Sequence, residues 1–225
     1  MKIKVLSLFP EMFAPMHCGI IGNAVKNGLI DFEVINIRDY TLDKHKHVDD
    51  YPFGGGAGMV MAVQPIADAI KAVDPDHTYR RIYLSPRGRT FNQSVAKELF
   101  QRENLLFLCG SYEGVDQRVI DLLIDEELSL GDFVLTSGEL ASMCVINTVA
   151  RFVDGVLGSS ASLDEESFSD NLLEYPQYTR PQVFMGVGVP EVLLSGNHAE
   201  IAKWRHAKRV EITRERRPDL LKKED

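Results

Sequence analysis

The chain has few cysteines and no long hydrophobic run, and both absences limit what kind of protein it is. Its 225 residues include Cys18, Cys109 and Cys144, which are scattered and show no Cys-x-x-Cys spacing. That usage argues against a disulfide framework or a zinc site built on paired cysteines, and it favours a reducing compartment such as the cytoplasm. Apolar runs such as RIYL and LLFLC are too short for a membrane-spanning helix.

The N-terminal stretch MKIKVLSLFPEMF lacks the apolar length of a secretory signal, because Pro10 and Glu11 interrupt it. We expect a first β-strand here rather than a targeting segment. An excess of positive charge is also missing, since 25 Lys and Arg stand against 33 Asp and Glu, a net charge of −8. This argues against sequence-independent coating of nucleic acid but allows a local basic surface. Residues 203–217 hold seven Lys or Arg against two Glu.

Short apolar runs alternate with amphipathic segments over the first 160 residues. The runs IKVLSLF, DFEVINI, RIYLSP and NLLFLCG have the length and composition of buried strands. VQPIADAIKAV places Ile66, Ala69, Ile70 and Val73 on one helical face, and NQSVAKELFQR is predicted as a second helix. Such alternation predicts an α/β fold with an open, mainly parallel sheet and helices on both faces.

The composition changes near residue 158. The stretch GSSASLDEESFSDN, residues 158–171, is rich in Ser and acidic residues, which is typical of a mobile linker. A mostly helical segment follows it. The sequence therefore predicts an α/β domain over 1–158, a linker over 159–175 and a small helical C-terminal domain over 176–225.

The stretch YPFGGGAGMVM, residues 51–61, concentrates four glycines in five positions. It completes neither GxGxxG nor a P-loop, because no Lys-Ser or Lys-Thr pair follows the glycines. Two interpretations stay open. The glycines form a tight turn between packed elements, or they let a planar ligand pass close to the backbone before an apolar helix begins.

Three further loops are predicted to follow strand ends. They are YLSPRG (83–88), LCGSYEGVDQRV (108–119) and LSLGDFVLTSGELASM (128–143). Ligands of open α/β sheets bind outside the carboxyl ends of the strands, so the three loops are candidates for one pocket. Taken alone, Glu113 is also compatible with a solvated loop carboxylate, and Asp132 with a turn cap.

In their order and spacing these stretches closely resemble the bacterial tRNA (guanine-N1)-methyltransferases, the TrmD family of the knotted SPOUT class. The resemblance continues into YPQYTRP and VLLSGNHAEI and spans nearly the whole chain. It implies a SPOUT-type fold with a C-terminal trefoil knot, a feature that no pattern argument predicts. It also implies methylation of N1 of the guanine immediately 3′ of the anticodon, position 37 of tRNA.

The resemblance implies further that S-adenosyl-L-methionine, the methyl donor, binds in the knot. By motif match its pocket comprises Tyr83, Leu84, Ser85, Pro86, Gly110, Tyr112, Glu113, Gly114, Leu130, Gly131, Asp132, Phe133, Val134, Leu135 and Gly138. The family usually has two glycines where this chain has Ser137-Gly138. If position 137 requires a positive φ, the serine costs about 1 kcal/mol.

Methylation of N1 requires a general base, because N1 of neutral guanine carries a proton. The family motif SF-x-D matches SFSD here and implies Asp170 as the base. Arg151, in ARFVDGVLG, is implied as the group that stabilises charge developing toward O6 and the bound donor. On composition alone, Asp170 is a solvated residue of an acidic linker. Asn171 stands where the family usually has Gly, and Asn tolerates left-handed geometry.

The resemblance places the target guanine at the glycine loop, against Gly58 and Gly56, with Ser167 also in contact. The family often has Pro where this chain has Ala57. Phosphate contacts are implied for Lys203, Arg205, Lys208 and Arg209, although on sequence alone these residues equally suit a solvated helical face.

A homodimer is implied by the resemblance, with active sites at the subunit interface and the base supplied by the second subunit. A Mg²⁺ requirement belongs to the same family picture, and no carboxylate spacing here identifies a ligand.

Three alternatives make different demands on the sequence. A knotted RNA-binding protein without catalysis would lack the base or the donor pocket, whereas Asp170, Arg151 and Glu113 are all present. A nucleotide-dependent oxidoreductase would need a dinucleotide fingerprint, which this sequence does not contain. A knotted methyltransferase acting on a ribose hydroxyl would place the methyl group on the sugar of its product.

Overall fold

The computed structural model describes residues 1–158 and 166–221, and its contacts divide the chain into two units, Met1–Gly158 and Ser159–Asp225. The strands of the first unit are β1 (Lys2–Ser7), β2 (Asp31–Asn36), β3 (Asp49–Asp50), β4 (Val60–Met61), β5 (Arg80–Thr90), β6 (Asn104–Leu108) and β7 (Glu126–Ser129). Its α-helices are α1 (Gly19–Lys26), α2 (Val63–Val73), α3 (Gln93–Phe100), α4 (Gln117–Leu123) and α5 (Glu139–Ala150).

Five of these strands form one sheet in the order β2-β1-β6-β5-β7. Every neighbouring pair runs parallel, and Lys2 of β1, for example, pairs with Asp31 of β2 on one side and Asn104 of β6 on the other. The predicted α/β class and parallel sheet are confirmed.

Successive side chains of the sheet point to opposite faces and build two cores. On β6, Leu105 and Phe107 enter one core, whereas Leu106 and Leu108 enter the other. Helices α1, α3 and α5 contribute to the first core, and α2 and α4 to the second. Because helices cover both faces of the sheet, the sequence of β6 is a continuous apolar run and does not alternate between apolar and polar residues.

Helix α2 has the predicted apolar face, since Ile66, Ala69 and Ile70 are buried and Val73 packs at the edge of their cluster. The expectation that this helix directly follows the glycine loop is wrong. Strand β4 comes first and pairs antiparallel with β3, so that the loop closes a short hairpin. Two residues of pairing are too few to produce a period-two pattern in the sequence.

A buried ion pair joins the end of α2 to β5. Nε of Arg81 lies 2.7 Å from Oδ2 of Asp74, and the Thr78 N–H donates to Oδ1 at 2.7 Å. Burial alone raises the pKa of a carboxyl group, but hydrogen bonds from Arg81 and Thr78 outweigh it and hold the pKa of Asp74 below its ordinary value. The ionised carboxylate is therefore favoured in the folded protein.

We expect Asp74→Asn to lower the free energy of unfolding by about 3–5 kcal/mol at pH 7, because Arg81 then keeps a buried charge without its partner. A depressed pKa means that Asp74 contributes fully above the pKa of an unfolded aspartate, about 3.9, and loses this contribution as pH falls through the folded pKa. The deficit of the variant should thus shrink below about pH 4. Denaturant unfolding at pH 7, 5 and 3 measures it, with the exposed neighbour Asp76→Asn as control. A deficit independent of pH would contradict the expectation.

The described part of the second unit contains a hairpin and a long helix. Strands β8 (Val183–Phe184) and β9 (Val187–Gly188) pair antiparallel, and helix α6 spans His198–Arg216. The side chain of Asn197 caps α6 by accepting the N–H of Glu200. The helix lies where helical sequence is predicted, whereas the hairpin is not predicted. Residues 159–165 of the predicted linker lie outside the described residues.

Across residues 1–158 and 166–221, no helix combines the length and the apolar character that crossing a membrane requires.

Candidate active site

A cavity of about 450 Å³ lies in the first unit beside the middle of β5 and the carboxyl ends of β6 and β7. Its walls come from residues 83–87, 110–117 and 128–141. The first of these segments lies within β5, at the place where the pairing of β5 with β7 shifts register between Leu84 and Arg89. The fold thus brings together three loops that are far apart in the sequence.

Among the residues predicted to bind the donor, all but Gly131 and Asp132 line this cavity. The N–H of Gly131 donates to Oγ of Ser129 at 3.1 Å, and the Phe133 N–H donates to the Gly131 carbonyl at 2.9 Å. The two residues therefore form the turn that delivers Phe133, Val134 and Leu135 to the cavity. These three apolar side chains are exposed in the single chain.

Several lining residues are absent from the prediction: Arg87, Ser111, Val115, Gln117, Leu128, Ser129, Thr136, Ser137 and Ala141. Most are direct sequence neighbours of predicted residues. Gln117 and Ala141 lie in the first turns of α4 and α5, where a side chain reaches back toward the preceding loop. A rule that extends each strand-end motif by one helical turn would have found them.

Tyr83 lines the cavity and lies against Gly110. A Cβ atom at Gly110 would stand 2.8 Å from the Tyr83 hydroxyl oxygen, so a side chain at this position would displace the ring. Burial raises the pKa of Tyr83, and its phenol therefore keeps its proton at neutral pH. The hydroxyl is available as a hydrogen-bond donor at the cavity wall.

Helix α5 begins directly against the end of β6. The Gly138 N–H donates to the Gly110 carbonyl at 2.8 Å. A Cβ atom at Gly138 would lie 2.8 Å from Cα of Cys109 and 2.9 Å from the backbone nitrogen of Gly110. Glycine is required here for close approach. Ser137 does not have a positive φ, so the conditional cost of a serine at that position does not arise.

The first turn of α5 also carries Glu139, which is fully buried. Its Oε1 accepts the Ser7 hydroxyl at 2.6 Å, and Oγ of Ser7 in turn accepts the Phe9 N–H at 2.9 Å. These bonds tie the start of α5 to the end of β1. The wall formed by α5 is therefore fixed to two strands of the sheet.

The glycine loop meets the cavity at Glu113. Gly58 has φ +81°, and the Glu113 side chain fills the space where a Cβ atom of residue 58 would lie, with Cγ 2.4 Å from that position. The Glu113 N–H donates to the Met59 carbonyl at 3.0 Å, and the Met61 N–H donates to the Gly114 carbonyl at 2.9 Å. The loop assigned to guanine by resemblance is thus joined to a wall of the predicted donor pocket. Gly56, with φ +128°, belongs to the same loop.

Asp170 lies in a turn of the second unit that is closed by its own backbone. The Phe168 N–H donates to the Leu172 carbonyl at 2.8 Å, and Asn171 adopts φ +61°, the left-handed geometry that Asn tolerates. Nη1 of Arg209 donates to Oδ2 of Asp170 at 3.0 Å, and Nη2 donates to Oδ1. The sequence did not predict this pairing.

The other predicted site residues have varied surroundings. Oγ of Ser167 accepts the Glu174 N–H at 3.0 Å. Arg151 forms the C-cap of α5 and is not among the residues that line the cavity. On α6, Lys203 pairs with Glu200 and Lys208 with Glu211, and Arg205 lies over the Tyr175 ring at 4.6 Å.

Within the described ranges 1–158 and 166–221, no group of three or more His, Cys, Asp or Glu side chains is arranged to hold a metal ion.

The family described as tRNA (Guanine-1)-methyltransferase TrmD matches residues 1–223 of the chain. A tRNA (guanine-N(1)-)-methyltransferase of Clostridium botulinum strain Hall is 58% identical over 223 residues, which are 99% of this chain and 92% of that protein. Proteins of the same name from Clostridium beijerinckii and Clostridium perfringens strain SM101 are also 58% identical over 99% of the chain, covering 93% and 94% of their own lengths. The chain therefore belongs to the tRNA (guanine-N1)-methyltransferase TrmD family.

Proposed function

We propose that the protein transfers a methyl group from S-adenosyl-L-methionine to N1 of the guanine immediately 3′ of the anticodon in tRNA, position 37. Family membership supports the reaction and the class of donor. The observation that carries the assignment to this chain is the cavity at the strand ends, whose walls contain nearly every predicted donor residue.

The cavity suits S-adenosyl-L-methionine in size and in chemistry. Its volume of about 450 Å³ is typical of small-molecule sites. Leu84, Leu130 and Leu135 offer apolar surface for the adenine faces, the Tyr83 hydroxyl and loop backbone suit polar edges, and Glu113 suits a cation. The bound donor supplies an electrophilic methyl group on a sulfonium.

Asp170 acts as the general base that removes the N1 proton, and Arg151 stabilises the negative charge that develops toward O6. The SFSD motif supports the role of Asp170. The Asp170 side chain is half-exposed, which leaves room for the guanine to approach it. Among the described residues that line the cavity, the one carboxylate is Glu113, which is held against Gly58. We therefore assign proton removal to Asp170, which is not among the lining residues.

We infer that this base comes from the second subunit of a homodimer, so that the active site forms at the interface. The exposed apolar side chains of Phe133 and Val134 at the cavity mouth support a covered position in an assembly. The flipped guanine lies against Gly58 and Gly56, with Ser167 in contact. Lys203, Arg205 and Lys208 face the tRNA phosphates, and Arg209 has a separate role.

The proposed organisation is a knotted methyltransferase domain over 1–158, a catalytic linker over 159–175 and a tRNA-binding domain over 176–225, in a cytoplasmic enzyme. The trefoil knot is supported by membership of the family. Mg²⁺ dependence is proposed from the family resemblance alone, and no residue is proposed to bind the ion.

Methyl transfer to two tRNA transcripts, one with guanine and one with adenine 3′ of the anticodon, tests the proposal. We expect the guanine transcript alone to be labelled, and nucleoside digestion to identify 1-methylguanosine. A labelled ribose would favour the knotted enzymes that modify sugars. Donor binding without transfer to either transcript would overturn the assignment of substrate.

A further inference from the structure

We infer that Arg209 is a positioning residue for the general base: it holds the Asp170 carboxylate in one orientation instead of contacting tRNA phosphate. The inference rests on the proposed function, because it takes Asp170 as the base. Both carboxylate oxygens are engaged, Oδ2 by Nη1 at 3.0 Å and Oδ1 by Nη2.

Arg209 is anchored within the second unit. Its side chain is 10% exposed, against 50% for Asp170, and its Nε donates to the Leu173 carbonyl at 3.4 Å. One helical turn further, the hydroxyl of buried Thr213 accepts the Leu173 N–H at 2.8 Å and donates to the Arg209 carbonyl at 2.7 Å. Side chains of helix α6 thus form hydrogen bonds to the N–H and the carbonyl of Leu173 and to the carboxylate of Asp170.

The guanidinium has the geometry that this role requires. Its planar fork binds both oxygens of a carboxylate and so fixes the carboxylate plane, which a lysine ammonium cannot do. A carboxylate offers about four lone-pair sites, of which a bidentate arginine takes two. Since half of the Asp170 side chain is exposed, the remaining sites are open to a proton donor such as guanine N1–H. A base oriented by a third group is a recurring catalytic arrangement.

The neighbouring cations of α6 differ from Arg209. The side chains of Lys203 and Lys208 are 74% and 35% exposed and pair with glutamates of the same helix. Either lysine can exchange that surface partner for a phosphate at little cost. A phosphate that reached Arg209 would have to displace Asp170 and its partly buried ion pair.

The test compares Arg209→Gln, Arg209→Lys, Asp170→Asn and Lys208→Gln in the full chain. We expect Arg209→Gln to lower the single-turnover rate of methyl transfer about 10–100-fold at saturating tRNA and donor, because the base is misplaced. Its Kd for tRNA should stay within about twofold, and Arg209→Lys should recover part of the rate, because it keeps the charge but not the fork. Lys208→Gln should instead bind tRNA more weakly and lower the salt slope of binding by about one.

Two controls that do not depend on activity accompany these measurements. Donor binding reports that the first unit of each variant is folded. If the Arg209 and Asp170 side chains hold this turn together, hydrogen exchange of residues 166–175 in the free protein should be faster in Arg209→Gln and in Asp170→Asn. The variant that carries both substitutions should then exchange no faster than either single variant.

Weaker tRNA binding with an intact rate in Arg209→Gln would overturn the inference and make Arg209 a phosphate contact. An intact rate and intact binding would overturn it as well, leaving the pair without a catalytic role. Failure of the proposed function has another signature. Full activity of Asp170→Asn would refute both the role of Asp170 as the base and the positioning role of Arg209. An inactive Asp170→Asn variant together with a fully active Arg209→Gln variant would refute only the positioning role.

Discussion

Asp170→Asn should slow methyl transfer by about 10²–10⁴-fold, the range that a general base contributes, while the Kd for S-adenosyl-L-methionine stays within about twofold. The amide keeps the size of the side chain but cannot accept the N1 proton. The residues that line the cavity proposed for the donor all belong to the first unit, whereas Asp170 belongs to the second, so donor affinity should not change. Single-turnover transfer to the guanine transcript and calorimetric donor titration measure the two quantities.

Glu174→Gln is the matched control, since Glu174 is an exposed carboxylate in the same segment and should tolerate the change. Equal losses in both variants would point to the charge of the segment and not to a base at position 170. A rate unaffected by Asp170→Asn would assign proton removal to another group.

Gly138→Ala should weaken donor binding by more than about 100-fold, because the new methyl group overlaps the backbone of Cys109 and Gly110. Backbone atoms at the end of a central strand cannot move aside as a flexible side chain can. Helix α5 must shift instead and carry the cavity wall at residues 133–138 with it. Calorimetric titration with S-adenosyl-L-methionine measures the loss.

Gly188→Ala is a suitable control, because a Cβ atom there meets nothing within 4 Å. Leu135→Ala separates a damaged pocket from a damaged fold, since this cavity residue is 37% exposed and its truncation should weaken donor binding without unfolding the protein. Normal donor affinity in both Gly138→Ala and Leu135→Ala would show that the donor binds elsewhere.

Periodicity predicted strands β1, β2, β5 and β6 and helices α2 and α3 of the first unit, but not helices α1 and α4 or the two-residue strands. A buried strand such as β6 and an amphipathic helix such as α2 each carry their own signal over five or more residues. The two-residue strands β3, β4, β8 and β9 carry none, and the hairpin around the glycine loop was therefore missed. The order of the strands also depends on long-range pairing, which no local pattern reports.

The candidate site shows a similar limit. Motif matches collected residues from three loops because each motif is contiguous in the sequence. Contacts between separate motifs were not accessible in this way, as Glu113 against Gly58 and Arg209 against Asp170 illustrate. A count of basic residues along α6 cannot separate the buried Arg209 from the exposed Lys203, because a turn 39 residues earlier in the chain decides the difference.

The position of β1 in the sheet has a consequence for synthesis on the ribosome. This strand is synthesised before both of its partners, and one of them, β6, follows about 100 residues later. At about 5–20 residues per second, the wait is on the order of 5–20 s, during which the backbone N–H and C=O groups along one edge of β1 lack their partner strand. An unpaired strand edge is a template for pairing with another chain, and this edge is open until β6 has been made. The cavity proposed for the donor includes residues up to 141, so S-adenosyl-L-methionine bound there would stabilise only a domain whose sheet is already complete.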